Sequence, residues 1–492
     1  MDLKKRDRHL VRLLREKVEN GNGFLDLSYE RIEDAGATLL ARNFDLSHIV
    51  RLNLGWNQLT DPGLIALAGC SSLSNLSALI LDANKIGNDG IKALAKSPHL
   101  TKLQSISLIN NRVGDEGVLH LIKSNSLKDL RELDLEMNRV GGSRLTQFPD
   151  GPANPALKVL NLRRNQIDDD TLVDWVQTGA FSQLRHLNLG WNQITDRGAK
   201  TLAQAPTMNR MEALILDSNS IGNDGARVVA DSKHLKNLTS LFMHDNNYSD
   251  AGETALQDMK VRALLNKHLA DGVLNLNECL LGNKDLEALA RSEALADVET
   301  LFLRSNDFDY RGLQALTESK TLKKLKRLNL MHNDIGNKGA VLLAESPVLS
   351  QLTALNLEKT GVTYLGSLAL AQSQALSQLE ELNLSQNNIT EKGIQALSGS
   401  NNFKNLRKLR VMDTFMGDLG FHALARSDHL DQLQELKANG NEITRAGLES
   451  FAASKNLASL KQLDLRRNKF KIEDGHFMQD SSRFKKLETL RF

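Results

Sequence analysis

The sequence predicts an α/β solenoid: a parallel sheet of about 18 strands lining a concave face, with helices on the convex face. Three observations predict it. The string Leu-Asn-Leu-Gly-Trp-Asn at residues 52–57 recurs at residues 187–192, and its skeleton, LxLxxN, runs from Leu25 to Leu490. Sixteen of the seventeen intervals between copies are 27 residues, the exception being 33, from Leu241 to Leu274. Within a copy the apolar spacing changes from period two to i, i+3, i+4, which is the change from strand to helix.

Taken in order, residues 1–23 read as a helical cap with Leu10, Leu13, Leu14 and Val18 on one face. Residues 24–492 hold the repeats. In one unit, Leu76, Leu79 and Leu81 make the strand, Asn84 and Ile86 the turn, and Ile91, Leu94 and Ala95 the helix. Pro98, with Pro206 and Pro347 at the same offset, stops the helix, because proline cannot continue one. No unit can bury its apolar face alone, so stacked neighbours supply the core in one continuous domain. The Asn that recurs at 57, 84, 111 and onward is polar inside a leucine frame and must be hydrogen-bonded. A ladder to the turn backbone of its own and the next repeat is expected, with Glu30, Cys279, Thr360 and Thr414 standing in for Asn.

Two irregularities interrupt the register. Across 141–156, Arg144 replaces the usual Gly, and Pro149, Pro152 and Pro155 fall in the helix half, predicting a short or lost helix. Six extra residues lie within 256–269, a proline-free stretch of good helix formers that predicts a longer convex helix. Register makes residues 490–492 a last strand. Its edge is covered by 471–489, pairs with another chain, or marks a cut in the chain.

LxxLxLxxN followed by a helix-length remainder resembles the ribonuclease-inhibitor-like class of leucine-rich repeats, over residues 24–492. The resemblance implies a leucine-rich repeat horseshoe, an architecture that binds many kinds of client and carries no one activity. Near-exact 27-residue repeats with few cysteines and no attached domain also resemble the leucine-rich effectors that intracellular bacteria such as Legionella deliver into host cells.

Composition narrows the function classes. A net charge of +2 makes no bulk electrostatic case for nucleic acid or a membrane surface. Two cysteines, Cys70 and Cys279, in different repeats favour a reducing, cytoplasmic compartment. No 18-residue apolar run occurs, so no membrane-spanning helix is expected, and the first residues lack the apolar core of a secretory signal. No phosphate-cradling loop, zinc spacing or nucleophile–base pair is found, so neither enzyme nor cofactor is expected. Gly-Asn-Asp-Gly at Gly87 and Gly222 reads as a turn before a helix.

Candidate binding residues are those the core does not dictate: the position between the two leucines and the two before the Asn. Trp56 and Trp191, each preceded by Gly, head two apolar patches with Ile80, Ile109, Ile215, Phe242 and Phe302. The patches are related by an internal duplication at an offset of 135 residues, five repeats. Asp82, Met137, Arg163, Arg164, Asp217 and His244 complete the surface expected to bind a protein partner. Arg410, Lys437, Arg466, Arg467 and Arg491 make the far end basic, a gradient suited to orienting that partner. Asp217, His244, Asp245 and Glu278 fall on successive strands but, on an open sheet, read as polar binding surface and not a metal or catalytic site. The function expected is a non-enzymatic protein-binding scaffold. The alternative is a regulator of a GTPase or other enzyme, which the missing acidic tail of leucine-rich GTPase-activating proteins weakens.

Overall fold

A computed structural model describes residues 3–142, 154–454, 456–475 and 486–492. The chain forms two compact units, Met1–Leu256 and Gln257–Phe492. Among the described residues the first holds a nine-stranded parallel sheet and the second a ten-stranded sheet that is parallel except for its first strand. Each parallel strand is a three-residue segment such as Arg51–Asn53 or Ala78–Ile80, in register with the next repeat: Leu25 faces Leu52, which faces Leu79. Strand leucines and helix residues interlock within each unit. Leu52, Leu54, Leu59 and Leu64 are fully buried in the first, as are Leu330, Leu343 and Leu357 in the second.

The single sheet of about 18 strands expected from the repeat count is therefore two. The cause lies in the long interval. The extra residues extend the helix Asp250–His268 to 19 residues. The chain then returns as Leu269–Ala270, which pairs antiparallel with Val273–Asn275. That short strand takes the edge a preceding parallel strand would have used, and the ladder ends at Ser240–Phe242.

Three ladders of side chains hold successive repeats together. In the first, Asn84 Oδ1 accepts from the N–H groups of Asn57 (3.0 Å) and Leu59 (2.9 Å), while its Nδ2 donates to Leu81 (2.8 Å) and Leu54 (3.0 Å) carbonyls. The amide thus ties its own repeat to the preceding one, not to the next as expected. The direction follows from the strand ladder: the carbonyl and amides that lack partners belong to the turn already laid down. Thr360 and Thr414 keep the local half of the bond, to Leu357 (2.7 Å) and Val411 (3.0 Å) carbonyls.

The second ladder caps helices across repeats. Asp196, in the first turn of Asp196–Gln204, accepts from Gly222 N (2.6 Å) and Gly225 N (2.9 Å), the first free amides of the next helix, Asn223–Ala230. Asn283 and Asn337 repeat this in the second unit. The glycine three residues into helices such as Asn88–Ala95 and Asn223–Ala230 is thereby explained: a Cβ on Gly90 would lie 2.7 Å from Asp61 Oδ1. The third ladder closes the other end, where Ser97, Ser124, Ser346 and Ser427 donate to a carbonyl at the end of the previous helix at 2.6 Å.

The helix Leu3–Asn20 buries Leu14 and Val18, and Lys17 pairs with Glu30 of the first repeat at 3.2 Å. Of the irregular stretch 141–156, residues 143–153 lie outside those described, Arg144, Pro149 and Pro152 among them. Thr489–Arg491 pairs with Gln462–Asp464, and the Phe492 ring meets Phe470 edge-on at 5.7 Å. Residues 476–485 also lie outside those described.

Candidate partner-binding surface

A three-residue strand centred on a buried leucine turns both flanking residues to the open face. That face therefore carries a row the sequence reading left out, the residue before the first leucine: Phe24 and Arg51 in the first unit, Arg327, Glu381 and Lys408 in the second. Period-two alternation was the signal that could have found it. Arg51 already uses it, its guanidinium lying 5.4 Å from the Phe24 ring centre.

The row just before the Asn is not part of the strand at all. From Tyr29 through Trp56, Met137, Arg164, Trp191 and Asp245 to Arg467, every member lies at φ between 51° and 64°, with Gly440 among them. This is the left-handed region, costly for a bulky side chain. Trp56 and Trp191 are nonetheless there and 52% and 49% exposed, outside the leucine interior.

The first two rows are less free than the sequence suggests. The amide of the second-row residue needs an acceptor on the open face, and a side chain provides it. Where the first row is Asn or Asp, it bonds two residues on: Asn53 to Gly55 N, Asn188 to Gly190 N, Asn329 to Met331 N, each at 3.0 Å. Where the first row is Ser107, Phe242 or Phe302, the previous repeat substitutes. Asp82 then accepts from Ile109 N (3.0 Å), Asp217 from His244 N (2.8 Å) and Asn277 from Arg304 N (2.8 Å). Asp82 and Asp217 thus each commit one oxygen to the sheet.

The two duplicated patches differ at the position preceding each tryptophan. Trp56 stacks on Tyr29, centroids 5.3 Å apart and planes 12° apart. At the matching place Trp191 has Arg164, at 5.1 Å, with Arg163 at 5.6 Å. Arg163 is held by Glu136 at 3.0 Å, while burial raises the neighbouring Asp134 carboxyl above its ordinary value. Ile80, Ile109, Ile215 and Phe302 are half-buried; Met137, Phe242 and His244 are exposed. Phe302 belongs to the second unit, the other site residues to the first.

Glu278 lies in the second unit, paired with Arg304, whereas Asp217, His244 and Asp245 lie in the first. The basic end is interleaved with acid: Arg466 pairs with Asp464 (2.6 Å), Arg467 with Asp413 (3.2 Å), and both Arg410 (3.2 Å) and Lys437 (3.3 Å) with Glu435. The gradient is weaker than a list of cations implied. Burial pushes the Cys279 thiol above its ordinary value, which makes it a poor nucleophile. Among the described residues no helix is long and apolar enough to cross a membrane.

Comparison with known proteins adds a family match. The model of the family described as "Leucine Rich repeat" matches residues 45–68, 72–95, 153–172, 183–203, 321–344 and 376–398. No curated protein matches the sequence. Among solved structures, an internalin from Listeria monocytogenes is 16% identical, with 93% of this chain and 94% of that one covered and a TM-score of 0.30. A leucine-rich repeat protein of Leptospira interrogans is 17% identical, covering 98% of each chain, TM-score 0.32. TLR13 in its ssRNA13 complex is 19% identical over 92% of this chain, TM-score 0.32, and this chain spans only 60% of its length. Scores this low carry no argument about this chain; the six matched segments and the in-register ladders do. By its repeat, its sheets and its stacked helices the chain has the leucine-rich repeat solenoid fold, and six of its segments match the leucine-rich repeat family model.

Proposed function

We propose that the chain is a non-enzymatic scaffold that binds a protein partner on the open sheet face, with Trp56 and Trp191 as anchors. One observation carries the reading. Two tryptophans are held exposed, in a backbone conformation that disfavours them, at duplicated positions where the fold asks only for a residue that tolerates the left-handed turn. Exposed aromatic groups of this size are the usual centres of binding energy in interfaces. Ile80 and Ile109 beside Trp56, and Ile215 and Phe242 beside Trp191, extend each anchor into an apolar patch. Asp82, Met137, Arg163, Arg164, Asp217, His244 and, in the second unit, Phe302 form its polar and outlying parts.

The helix-bearing 27-residue repeat supports placement in the ribonuclease-inhibitor-like class. Both cysteines are free thiols, which suits a reducing cytosol, and the scaffold reading extends to an effector delivered by a bacterium and acting on host proteins. The test is affinity capture from host-cell lysate with the intact chain and with a Trp56→Ala/Trp191→Ala variant. Proteins retained by the former and lost by the latter support the reading. Equal retention by both refutes it.

A further inference from the structure

The second unit carries a recess on its open face that the tryptophan patches do not include. In the row before the first leucine, Arg327, Ala354 and Glu381 stand on three successive strands. Ala354 has only a methyl group, so it leaves a gap between side chains about 10 Å apart, twice the strand spacing. Arg327 reaches across the gap to Glu381 at 3.4 Å, and Lys408 binds the other carboxylate oxygen at 2.9 Å. Burial alone would raise Glu381; the bond from Lys408 and the charge of Arg327 outweigh it and hold the carboxyl below its ordinary value. Phe302 and Arg410 complete the walls.

Two features say what would fill it. Cations exceed anions: among the described residues Arg327, Lys408, Arg410 and Lys437 share only Glu381 and Glu435. Arg410 spends Nε on Glu435 and has no other partner among the described residues. The floor also has spare donors. Asn329 and Asn356 use Oδ1 on the backbone, at 3.0 Å each, and their Nδ2 groups meet no acceptor among the described residues. Surplus positive charge over idle amide donors is a site for an oxyanion. Among the described residues that line it, Phe302 is the one aromatic, so base stacking has little purchase.

We infer that this recess binds an acidic peptide segment of the partner protein, seating an Asp or Glu carboxylate over Ala354 between Arg327 and Arg410. The inference rests on the partner-binding reading and gives it a chemistry in the second unit. The probe is a fluorescein-labelled hexaglutamate peptide, titrated into the full chain at low salt by fluorescence anisotropy. Binding is expected, weakened about tenfold or more by Arg327→Gln/Arg410→Gln and by Ala354→Leu, which fills the gap without changing charge. Circular dichroism checks that each variant folds, and the uncharged Ala354→Leu keeps the test decisive if the double variant does not. Trp56→Ala/Trp191→Ala should bind hexaglutamate unchanged, which separates failure here from failure of the tryptophan anchors. Absence of binding, affinity indifferent to Ala354→Leu, or tighter binding of a labelled oligouridylate of equal charge overturns the inference.

Discussion

Trp56 shows how one residue can separate fold from function. Its backbone sits at φ 60°, where glycine is at ease and where Gly440 stands in a later repeat. Replacing Trp56 and Trp191 by Gly relieves the left-handed strain but loosens the unfolded chain, two effects of about 1 kcal/mol that oppose each other, and gives up the ring contacts with Tyr29 and Arg164, about 1 kcal/mol each. The Trp56→Gly/Trp191→Gly variant should therefore unfold within about 2–3 kcal/mol of the parent in urea, remaining folded while losing partner capture. Asp115 offers a second test. Burial, aided by the nearby carboxylates of Asp168 and Asp174, raises it from 3.8 to about 6 against the opposing bond from Gly141 N. A folded-state acid with a raised pKa binds its proton more tightly than the unfolded chain does. The contribution of Asp115 to stability is then greatest below about pH 4 and is lost as pH rises through about 6, by about 3 kcal/mol at most. Asn88 occupies the matching position in the previous repeat and accepts the same kind of bond, from Gly114 N at 2.8 Å. Asp115→Asn should accordingly raise the urea midpoint at pH 7.5 and have little effect near pH 4; an equal shift at both values would contradict the assignment.

The helix is the element on which the cross-repeat caps act. A free helix start leaves its first amides unpaired, and here the previous helix supplies the acceptor. The bond is available only if the third helical residue has no side chain. Gly90→Ala would press a methyl to 2.7 Å from Asp61 Oδ1 and 3.1 Å from its Cα, so a loss of about 1–3 kcal/mol is expected although alanine is the better helix former. An unchanged thermal midpoint would show that Asp61 simply moves aside. The strand–turn–helix order and the prolines at helix ends were legible, because local periodicity and propensity set them. The need for Asp or Asn at one helix start and Gly in the next was not, because that pairing spans 27 or more residues.

At the scale of the whole chain, each sheet is its own hydrogen-bonded array, and repeat stability is shared between neighbours in a row. Asn84→Ala would strand the amides of Asn57 and Leu59 in the first unit, each at about 1–3 kcal/mol. Hydrogen–deuterium exchange should quicken in the strands around Leu52 and Leu79 and stay at the parental rate in Arg327–Asn329 and Glu381–Asn383. Uniform acceleration through both units would mean that they unfold as one.

The repeat frame, the leucine interior, the Asn ladder and the exposure of both tryptophans were written in the 27-residue period, because a strict period forces like residues into like environments. The tertiary structure alone decided the rest. It broke the sheet in two where a returning segment took a strand edge, it recruited Asp82 and Asp217 to bond backbone amides of the next strand, and it gathered Arg327, Glu381 and Lys408 around Ala354. The physical reason is the same in each case: hydrogen-bond partners and gaps between side chains are set by which strands lie side by side, and no window one repeat long contains that information.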